Sequence, residues 1–449
     1  MKWWCLGILL LIPFLSRAQI ITTFAGCVSM SCSGIGDGGA ATAANIDDPN
    51  GGAFDRYGNY YFAEGLGQRV RKVNTSNIIT TVAGIGSSGY TDSIPATAAM
   101  LNVPNAVILD TFGNLYISDA GNERIRKVTI STGIITTICG NGTGAYLGDG
   151  GPATAAEIWG LQDICFDEFG NLYIADAFNY RVRKINTSGI ISTFAGGSFS
   201  AVGTGDGGPA TAATFNLILG LAADDTGNIY IADYNAGKVR KVDTAGIITT
   251  IAGNGGVTYS GDGIAATAAQ IAPAKLGFDT SGNLYIADEY NLRVYKIDRL
   301  TGILYTVAGD GMTGYSGDGV AATAASIDYP YGIAFDPCGN LYVPDINNYR
   351  VRKVALNPTC DLGALSTPSL KATTSISIYP NPATDQITIT ANENIGAITV
   401  TNLLGQTVLT QYFKSQTAEV NIGNLANGVY FVMVTDDEGN KTVMKLIKQ

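Results

Sequence analysis

The chain contains no histidine among its 449 residues, and this absence excludes several kinds of site at once. Without imidazole there is no histidine-containing catalytic triad, no histidine general base and no histidine metal ligand. Charged residues are also few, at 14%, and they sum to a formal net charge of −10. Because an acidic protein repels phosphate groups, neither nucleic acid nor an anionic membrane surface is expected as a partner.

Long hydrophobic runs are missing as well. The N-terminal apolar run from Trp3 to Leu15 is too short to span a bilayer comfortably. It follows Lys2 and precedes Ser16-Arg17-Ala18, so residues 1–18 are predicted to be a secretory signal peptide that is cut after Ala18. No later segment is long and apolar enough to predict a transmembrane helix.

What the chain does contain is glycine and a repeat. It has 57 glycines, and its 23 tyrosines far outnumber its 3 tryptophans, a balance typical of all-β proteins with many tight turns. A Gly-Asn pair recurs at intervals of 55 to 57 residues and begins at Gly58, Gly113, Gly170, Gly227, Gly282 and Gly339. A fixed period of this size indicates a repeat architecture.

Each period contains four runs with the composition of short antiparallel strands, so six periods predict an all-β fold with six propeller blades over residues 19–357. One Ile-rich run of the fourth-strand type, Ile20–Ala25, precedes the first blade, whereas the last blade has no fourth strand of its own. We therefore expect Ile20–Ala25 to complete the sixth blade and close the ring, which removes the exposed edge of an open sheet.

The recurring pattern ITTxAG…GDG…ATAA…GNLYIAD…N-R-RKV, as in Ile190–Gly196 and Gly170–Asp176, resembles the NHL-repeat family in its bacterial extracellular form. The resemblance implies a propeller, usually six-bladed, that serves as a binding platform. It also leaves an enzyme open, because a few relatives, such as the amidating lyase and the gluconolactonase-like propellers, are metal-dependent.

Long loops join each fourth strand to the next first strand, and they carry a Gly-Asp-Gly followed by an Ala-Thr-Ala-Ala run, which predicts one or two turns of helix. The loop carboxylates could bind calcium or polar ligands, or they could cap their own turns, and capping is favoured because each loop has one carboxylate. They are Asp37, Asp149, Asp206, Asp262 and Asp318.

A second recurrent carboxylate ends each second strand and lies near a recurrent arginine. We interpret these residues as ion pairs that hold the fold, because a single catalytic site would need only one copy. The carboxylates are Glu64, Asp119, Asp176, Asp233, Asp288 and Asp345, and the arginines are Arg124, Arg181, Arg293 and Arg350.

The departures from the repeat are more informative about function. Alignment of the first strands places Asn50, Asn105, Gln162 and Tyr331 at one position and Asp163 and Lys275 at the next, at one mouth of the predicted channel. The hypothesis is a site for a small polar ligand or a cation, calcium included, with Trp159 and Tyr329 as stacking surfaces. The alternative is a water-filled channel with polar walls. No catalytic residue stands out, and no other cofactor is expected.

Six cysteines remain once Cys5 leaves with the signal peptide, and an exported chain can form disulfides. Their positions in the predicted blades make Cys27–Cys32 and Cys338–Cys360 plausible pairs. Cys139 and Cys165 fall on different strands, so we expect two buried free thiols.

The repeat stops after residue 357, and residues 358–374 have the composition of a linker. Residues 375–449 contain six or seven short alternating runs, which predict a small Ig-like β-sandwich. They resemble the type A sorting domain of the type IX secretion system of Bacteroidetes-like bacteria, as judged from Tyr379, Pro380, Asn381, Pro382, Asp385, Gly428, Tyr430, Lys445 and Lys448. The resemblance implies export by that machinery, removal of the domain, and then release or attachment to the cell surface. A generic adhesive sandwich is the alternative.

Together these features predict an exported binding module that recognises an extracellular protein or glycan at its loop-rich end. A metal-dependent lyase or lactonase with a site in the central channel is the first alternative. A purely structural component of the cell surface is the second.

Overall fold

The computed structural model describes residues 19–27, 34–357, 377–402, 407–436 and 441–449. The predicted signal peptide, Cys32, Cys360 and the whole of the predicted linker lie outside these ranges. The chain divides into two compact units, Met1–Ser366 and Thr367–Gln449, and each is described by itself. Within the described ranges, no helix has the length and apolarity needed to cross a membrane.

The first unit consists of antiparallel sheets whose strands follow each other in chain order. The first of the described strands is β1 (Ile20–Ala25). The first sheet contains β2 (Pro49–Phe54), β3 (Tyr60–Glu64), β4 (Arg69–Val73) and β5 (Ile79–Ala83). The second contains β7 (Pro104–Leu109), β8 (Leu115–Asp119), β9 (Arg124–Thr129) and β10 (Ile134–Cys139), with the short β6 (Ile94–Pro95) on β10. The third contains β11 (Leu161–Phe166), β12 (Leu172–Asp176), β13 (Arg181–Ile185) and β14 (Ile191–Gly196).

The next three sheets repeat the plan. A parallel pair, β15 (Ser198–Phe199) and β16 (Thr214–Phe215), precedes the fourth sheet of β17 (Ile218–Ala223), β18 (Ile229–Asp233), β19 (Lys238–Val242) and β20 (Ile248–Ala252). The fifth contains β22 (Pro273–Phe278), β23 (Leu284–Asp288), β24 (Arg293–Ile297) and β25 (Ile303–Ala308), with β21 (Ile264–Ala265) on β25. The sixth contains β27 (Ala334–Phe335), β28 (Leu341–Asp345) and β29 (Arg350–Val354), together with β26 (Val320–Ala321).

Strand β1 completes the last sheet. Its order is β26-β1-β29-β28-β27, and β1 pairs antiparallel with β29, with Thr22 opposite Lys353. This confirms the predicted closing strand. The first and sixth sheets also pack together through aromatic rings. Phe54 of the first sheet lies edge-on to Tyr342 of the sixth, with the ring centres 4.6 Å apart.

The long loops each contain a single turn of 3₁₀ helix, which confirms the predicted helical turn. The first alanine of each is buried, so the turn anchors the loop against the sheets. These helices are Ala41–Ala43, Ala96–Ala98, Ala153–Ala155, Ala210–Ala212, Ala266–Ala268 and Ala322–Ala324, and three more follow second strands at Ala120–Asn122, Ala177–Asn179 and Ile346–Asn348.

The loop carboxylates are held by buried arginines, and here two predictions were wrong. Arg126 lies 3.0 Å from Asp119 and 3.2 Å from the loop residue Asp92, so one guanidinium ties the second strand and the long loop together. The same arrangement recurs around Arg71, Arg183 and Arg352. The loop carboxylate is therefore an ion-pair partner in most sheets, rather than a cap of its own turn.

The arginine predicted to form the pair is a different one. Arg124 donates to the carbonyls of Asn122 and Asn141 at 2.8 and 2.6 Å, and its guanidinium lies 4.0 Å above the ring of Tyr90. The fifth sheet departs from the plan because Tyr295 replaces the buried arginine, and its Asp262 instead accepts from Thr306.

The second unit is one hydrogen-bonded sheet with the path β30-β31-β33-β34, and β32 pairs with β31. Its strands are β30 (Ser377–Tyr379), β31 (Gln386–Asn402), β32 (Thr407–Asn421), β33 (Gly428–Asp436) and β34 (Lys441–Lys448). Runs predicted as separate strands merge into the long β31 and β32. The register of β31 shifts between Thr390 and Ile395, so its two halves have different neighbours without a break in the strand.

Candidate functional site

The first strands of the six sheets surround one cavity of about 440 Å³. Its wall is formed by residues 51–54, 106–109, 163–166, 221–223, 275–278 and 332–335. The predicted polar positions lie at the end of this cavity nearer the long loops, because they stand at the beginnings of the first strands. The opposite end is lined by the last residues of the same strands.

Five of the predicted residues form one hydrogen-bonded group, which we call the mouth cluster: Asn105, Gln162, Asp163, Lys275 and Tyr331. The Oε1 atom of Gln162 accepts from Asn105 Nδ2 at 3.2 Å and from the Tyr331 hydroxyl at 3.1 Å. Gln162 belongs to the third sheet and Tyr331 precedes the first strand of the sixth. Their hydrogen bond therefore crosses the mouth of the channel.

A buried ion pair lies beside this crossing. Lys275 Nζ is 3.4 Å from Asp163 Oδ2, and it donates to the carbonyls of Gln162 and Leu219 at 2.6 and 2.8 Å. Asp163 also accepts from the backbone N–H groups of Ile164 and Leu221, each at 3.0 Å. Lys275 and Asp163 are only 3% and 8% exposed.

Burial and pairing act in opposite directions on this pair. Burial raises the pKa of Asp163 and lowers the pKa of Lys275, while each charge partly offsets the shift of the other. The two groups stay charged only as a pair, since either charge alone would be costly in this environment.

Two residues of the site were missed by the sequence analysis. Glu289 is buried at the same mouth, accepts a hydrogen bond from Tyr234, and interacts with the charge of Lys275. Burial raises the pKa of Glu289, and it also raises the pKa of Tyr331, to which the charges of Glu289 and Asp163 add. Both missed residues directly follow the recurrent aspartate of a second strand. Other sheets have Gly, Ala or Ile there, so alignment of that turn would have found them.

The remaining predicted residues are not in the mouth cluster. Asn50 is buried and donates to Asp48 at 3.3 Å. Trp159 is 46% exposed and packs edge-on against Phe178, with the ring centres 5.4 Å apart. Tyr329 is 44% exposed, and its carbonyl accepts from the N–H of Ile346.

The polar groups of the mouth cluster bond to one another across this end of the channel. Its charged groups, Lys275 and Asp163, are satisfied by each other and by the backbone. Across the described ranges, no group of three or more Cys, Asp or Glu side chains could hold a metal ion. The cavity itself lies on the side of the cluster away from the long loops.

The prediction of two buried free thiols is confirmed. Cys139 and Cys165 are free and buried, and burial raises the pKa of Cys139 to about 12. Cys27 and Cys338 are disulfide-bonded. Their expected partners, Cys32 and Cys360, lie outside the described residues.

The predicted sorting residues bring the start of the second unit against its last strand. Asn381 Oδ1 accepts a hydrogen bond from the N–H of Ile447 at 2.9 Å. Asn381 is flanked in sequence by Pro380 and Pro382, and the peptide bond before each proline is cis. The Tyr430 hydroxyl donates to Ala426, and the carbonyl of Asp385 accepts from Ile422. Tyr379 is exposed at the end of β30, Gly428 begins β33, and Lys445 and Lys448 lie in β34.

Comparison with known proteins supports both resemblances. Residues 377–449 match the family model "Secretion system C-terminal sorting domain", and residues 16–99 match "Teneurin NHL domain". The chain is 26% identical over 314 residues to Protein SUPPRESSOR OF QUENCHING 1, chloroplastic, of Arabidopsis thaliana, covering 66% of this chain and 29% of that protein. It is 27% identical over 241 residues to Teneurin-1 of Mus musculus, covering 48% of this chain and 9% of that protein.

Among solved structures, the fold is similar to that of an auxiliary nutrient binding protein from Bacteroides thetaiotaomicron, with a TM-score of 0.55 and 18% identity over 75% of this chain and 76% of that one. This likeness shows the fold alone. The chain spans less than a third of the length of the curated relatives named above. The sorting domain marks it for export to the cell exterior. The repeats, the closed sheets and the two family matches show that the chain is an NHL-repeat β-propeller protein with a C-terminal type IX secretion sorting domain.

Proposed function

We propose that the six four-stranded sheets are the blades of a closed propeller, and that this propeller is an exported module which binds an extracellular protein or glycan without converting it. The observation that carries the proposal is the buried ion pair of Lys275 and Asp163, whose polar atoms all have partners. It lies beside the hydrogen bond by which Gln162 and Tyr331 cross the mouth of the channel. Polar groups that are all engaged close a pocket and shape its floor. They do not supply the free base or nucleophile that catalysis requires.

The second unit has the role of delivery in this proposal. Residues 375–449 would form an Ig-like sandwich in which the long β31 and β32 pass from one layer to the other at the register shift of β31. The domain would be recognised by the type IX secretion machinery and removed during export, with release or surface attachment of the propeller.

The propeller would bind its ligand without a metal ion. The ammonium group of Lys275 occupies the position beside Asp163 that a cation would need, and the same carboxylate already accepts two backbone hydrogen bonds. Calcium should therefore leave the thermal melting temperature of the protein unchanged, both in the parent chain and in Asp163→Asn. A rise in the parent that is absent from the variant would support a calcium site instead.

The function itself is tested with the full chain on glycan and protein arrays, followed by mass analysis of each captured ligand. Specific capture of an intact ligand supports the binding module. Conversion of a captured lactone or another substrate would favour the lyase or lactonase alternative. Absence of any specific capture would favour a purely structural surface component.

A further inference from the structure

The loop-rich end of the third sheet carries an exposed pair of aromatic rings, Trp159 and Phe178, which we call the aromatic corner. Each side chain is 46% exposed, and the two rings meet edge-on with their centres 5.4 Å apart. The N–H of Trp159 donates to the recurrent carboxylate of Asp176, and the N–H of Phe178 donates to the carbonyl of Trp159 at 3.1 Å. Backbone hydrogen bonds therefore hold both residues in place, and their rings form two walls that face water.

Other sheets have a polar pair at these two positions. The side chain of Asn347 donates to Asp328 at 3.0 Å in the sixth sheet, and the side chain of Asn235 donates to Asn216 at 3.4 Å in the fourth. In all three sheets the residue at the first position donates its N–H to the recurrent aspartate. A polar pair is thus enough to hold this turn, and exposed rings without a role in the fold are typical of an interaction surface.

Gly160 lets the ring of Phe178 lie against the main chain. A Cβ atom at Gly160 would be 2.5 Å from Phe178 Cδ2, so a side chain here would displace the ring. The positive φ of Gly160 does not by itself require glycine, because Asp48, Val103 and Tyr329 have a positive φ at the same position of their sheets. The third sheet therefore differs from the others at three adjoining positions, and together these changes build the aromatic corner.

The carboxylate of Glu123 contacts the same glycine. Its Oε2 and Oε1 atoms accept from the N–H of Gly160 at 3.0 and 3.3 Å. One sheet earlier, Gln68 makes the equivalent contact, because its neutral amide oxygen accepts from the N–H of Val103 at 2.7 Å. The contact needs an oxygen atom but no charge, so the charge of Glu123 is not explained by the fold.

No cation is paired with this half-buried carboxylate. Among the described residues, the ion pairs within 4.0 Å do not include Glu123. Arg124 follows it in the chain, but its guanidinium lies 4.0 Å above the ring of Tyr90. Burial raises the pKa of Glu123 to about 7, and the charge of Asp176 adds to the rise. The surroundings of Glu123 are thus complementary to a positively charged ligand.

We infer that the aromatic corner and Glu123 together bind a lysine side chain of an extracellular protein partner. An ammonium ion is attracted to the faces of aromatic rings, and most strongly to tryptophan, while its charge pairs with the carboxylate. The apolar stem of lysine lies along the rings and lets the ammonium reach the half-buried Glu123. An amino sugar has no such stem, which favours a protein over a glycan. The inference rests on the proposed binding function and names the ligand class at the loop-rich end.

Trp159 is also the reporter for the test, because it is the only tryptophan in residues 19–449. This chain, without the predicted signal peptide, is titrated with a short peptide that has one lysine between glycines and blocked ends. At about pH 8 the carboxylate of Glu123 is ionised and lysine is still charged. The fluorescence of Trp159 should change on binding. A peptide with norleucine, which keeps the stem without the ammonium, should bind at least roughly tenfold more weakly.

Two variants place the site, with affinities measured by calorimetry. Glu123→Gln copies Gln68, so it should fold normally and bind the lysine peptide about tenfold more weakly. The double variant Trp159→Asn with Phe178→Asn copies the polar pair of the fourth sheet and should abolish binding. Glu168→Gln is the matched control, because it removes the same charge from an exposed residue of the third sheet at the opposite end and should bind normally.

The outcomes separate this inference from the proposed function. Binding that Glu123→Gln leaves unchanged, or equal binding of the norleucine peptide, would overturn the inference. Binding of glucosamine in place of the lysine peptide would refute the protein partner. If the arrays capture a specific ligand while no peptide changes the fluorescence of Trp159, the inference fails and the binding function stands. Failure of every array and of the peptide would refute both proposals.

Discussion

Replacement of Lys275 by methionine is the most demanding test of how the mouth of the channel is held. The side chain keeps its length and its apolar stem, but the ammonium group is lost. Asp163 then remains 8% exposed with a negative charge and no cation beside it, and the carbonyls of Gln162 and Leu219 lose their donor. Breaking a buried pair by removing one partner costs about 3–5 kcal/mol of unfolding free energy, and we expect a loss in that range.

The double variant Lys275→Met with Asp163→Asn separates the pair from the rest of the site. Removal of both charges leaves no unpaired ion, so the loss should be smaller than the sum of the single losses by about 1–3 kcal/mol. Urea unfolding of the parent, both single variants and the double variant gives this cycle, provided that all four show the same dependence on urea concentration.

The pH dependence of the unfolding free energy tests whether the unpaired charge of Asp163 causes the loss of stability. In Lys275→Met the pKa of Asp163, already raised by burial, rises further because the ammonium is gone. A folded-state pKa above the unfolded value means that the protonated form stabilises the fold, so the penalty is present near about pH 7 and shrinks as the pH falls toward about pH 4. The double variant should show no such recovery. A loss below about 1 kcal/mol for Lys275→Met, or single losses that add within about 0.5 kcal/mol, would refute the reasoning.

Three further predictions concern the rest of the propeller. Arg126→Met should cost about 3–5 kcal/mol because it leaves a buried carboxylate unpaired, whereas Arg124→Met should cost about 1 kcal/mol; equal losses in chemical unfolding would contradict the assignment of the ion pair. Deletion of Ile20–Ala25 should expose an edge strand and cause self-association, which light scattering would detect, and a monomer of unchanged stability would contradict the closing role. Cys139 and Cys165 should react with iodoacetamide only after denaturation, so labelling of the folded protein would show that these thiols are not buried.

Part of the candidate site could be predicted because the six repeats can be aligned with each other, so that a residue which differs from its counterparts stands out. Gln162, Asp163, Lys275 and Tyr331 were found as departures from what the other sheets place at the same positions, and the structure joins all four. Glu289 follows the same logic one turn away and was missed because the comparison was limited to the first strands. Trp159 was also a departure, but it packs against Phe178 on the surface, since its position precedes the strand that lines the channel.

The choice between two arginines shows where sequence reasoning stops. Arg124 and Arg126 are two residues apart on one strand, so both point to the same face and both lie over the ring of Tyr90. Arg124 stands directly opposite Asp119 in the strand register, yet Arg126 forms the ion pair. The long loop decides this, because its Asp92 and the carbonyl of Thr91 hold the guanidinium of Arg126.

By itself the sequence determined the period of the repeat, the strand that closes the ring and most members of the mouth cluster. These follow from local patterns and from their count along the chain. Only the tertiary structure decided that the mouth is crossed by a hydrogen bond between residues 169 positions apart, and that the first strands of all six sheets line one cavity. The physical reason is that contacts across a ring depend on how the sheets curve and pack together, and no single repeat carries that information.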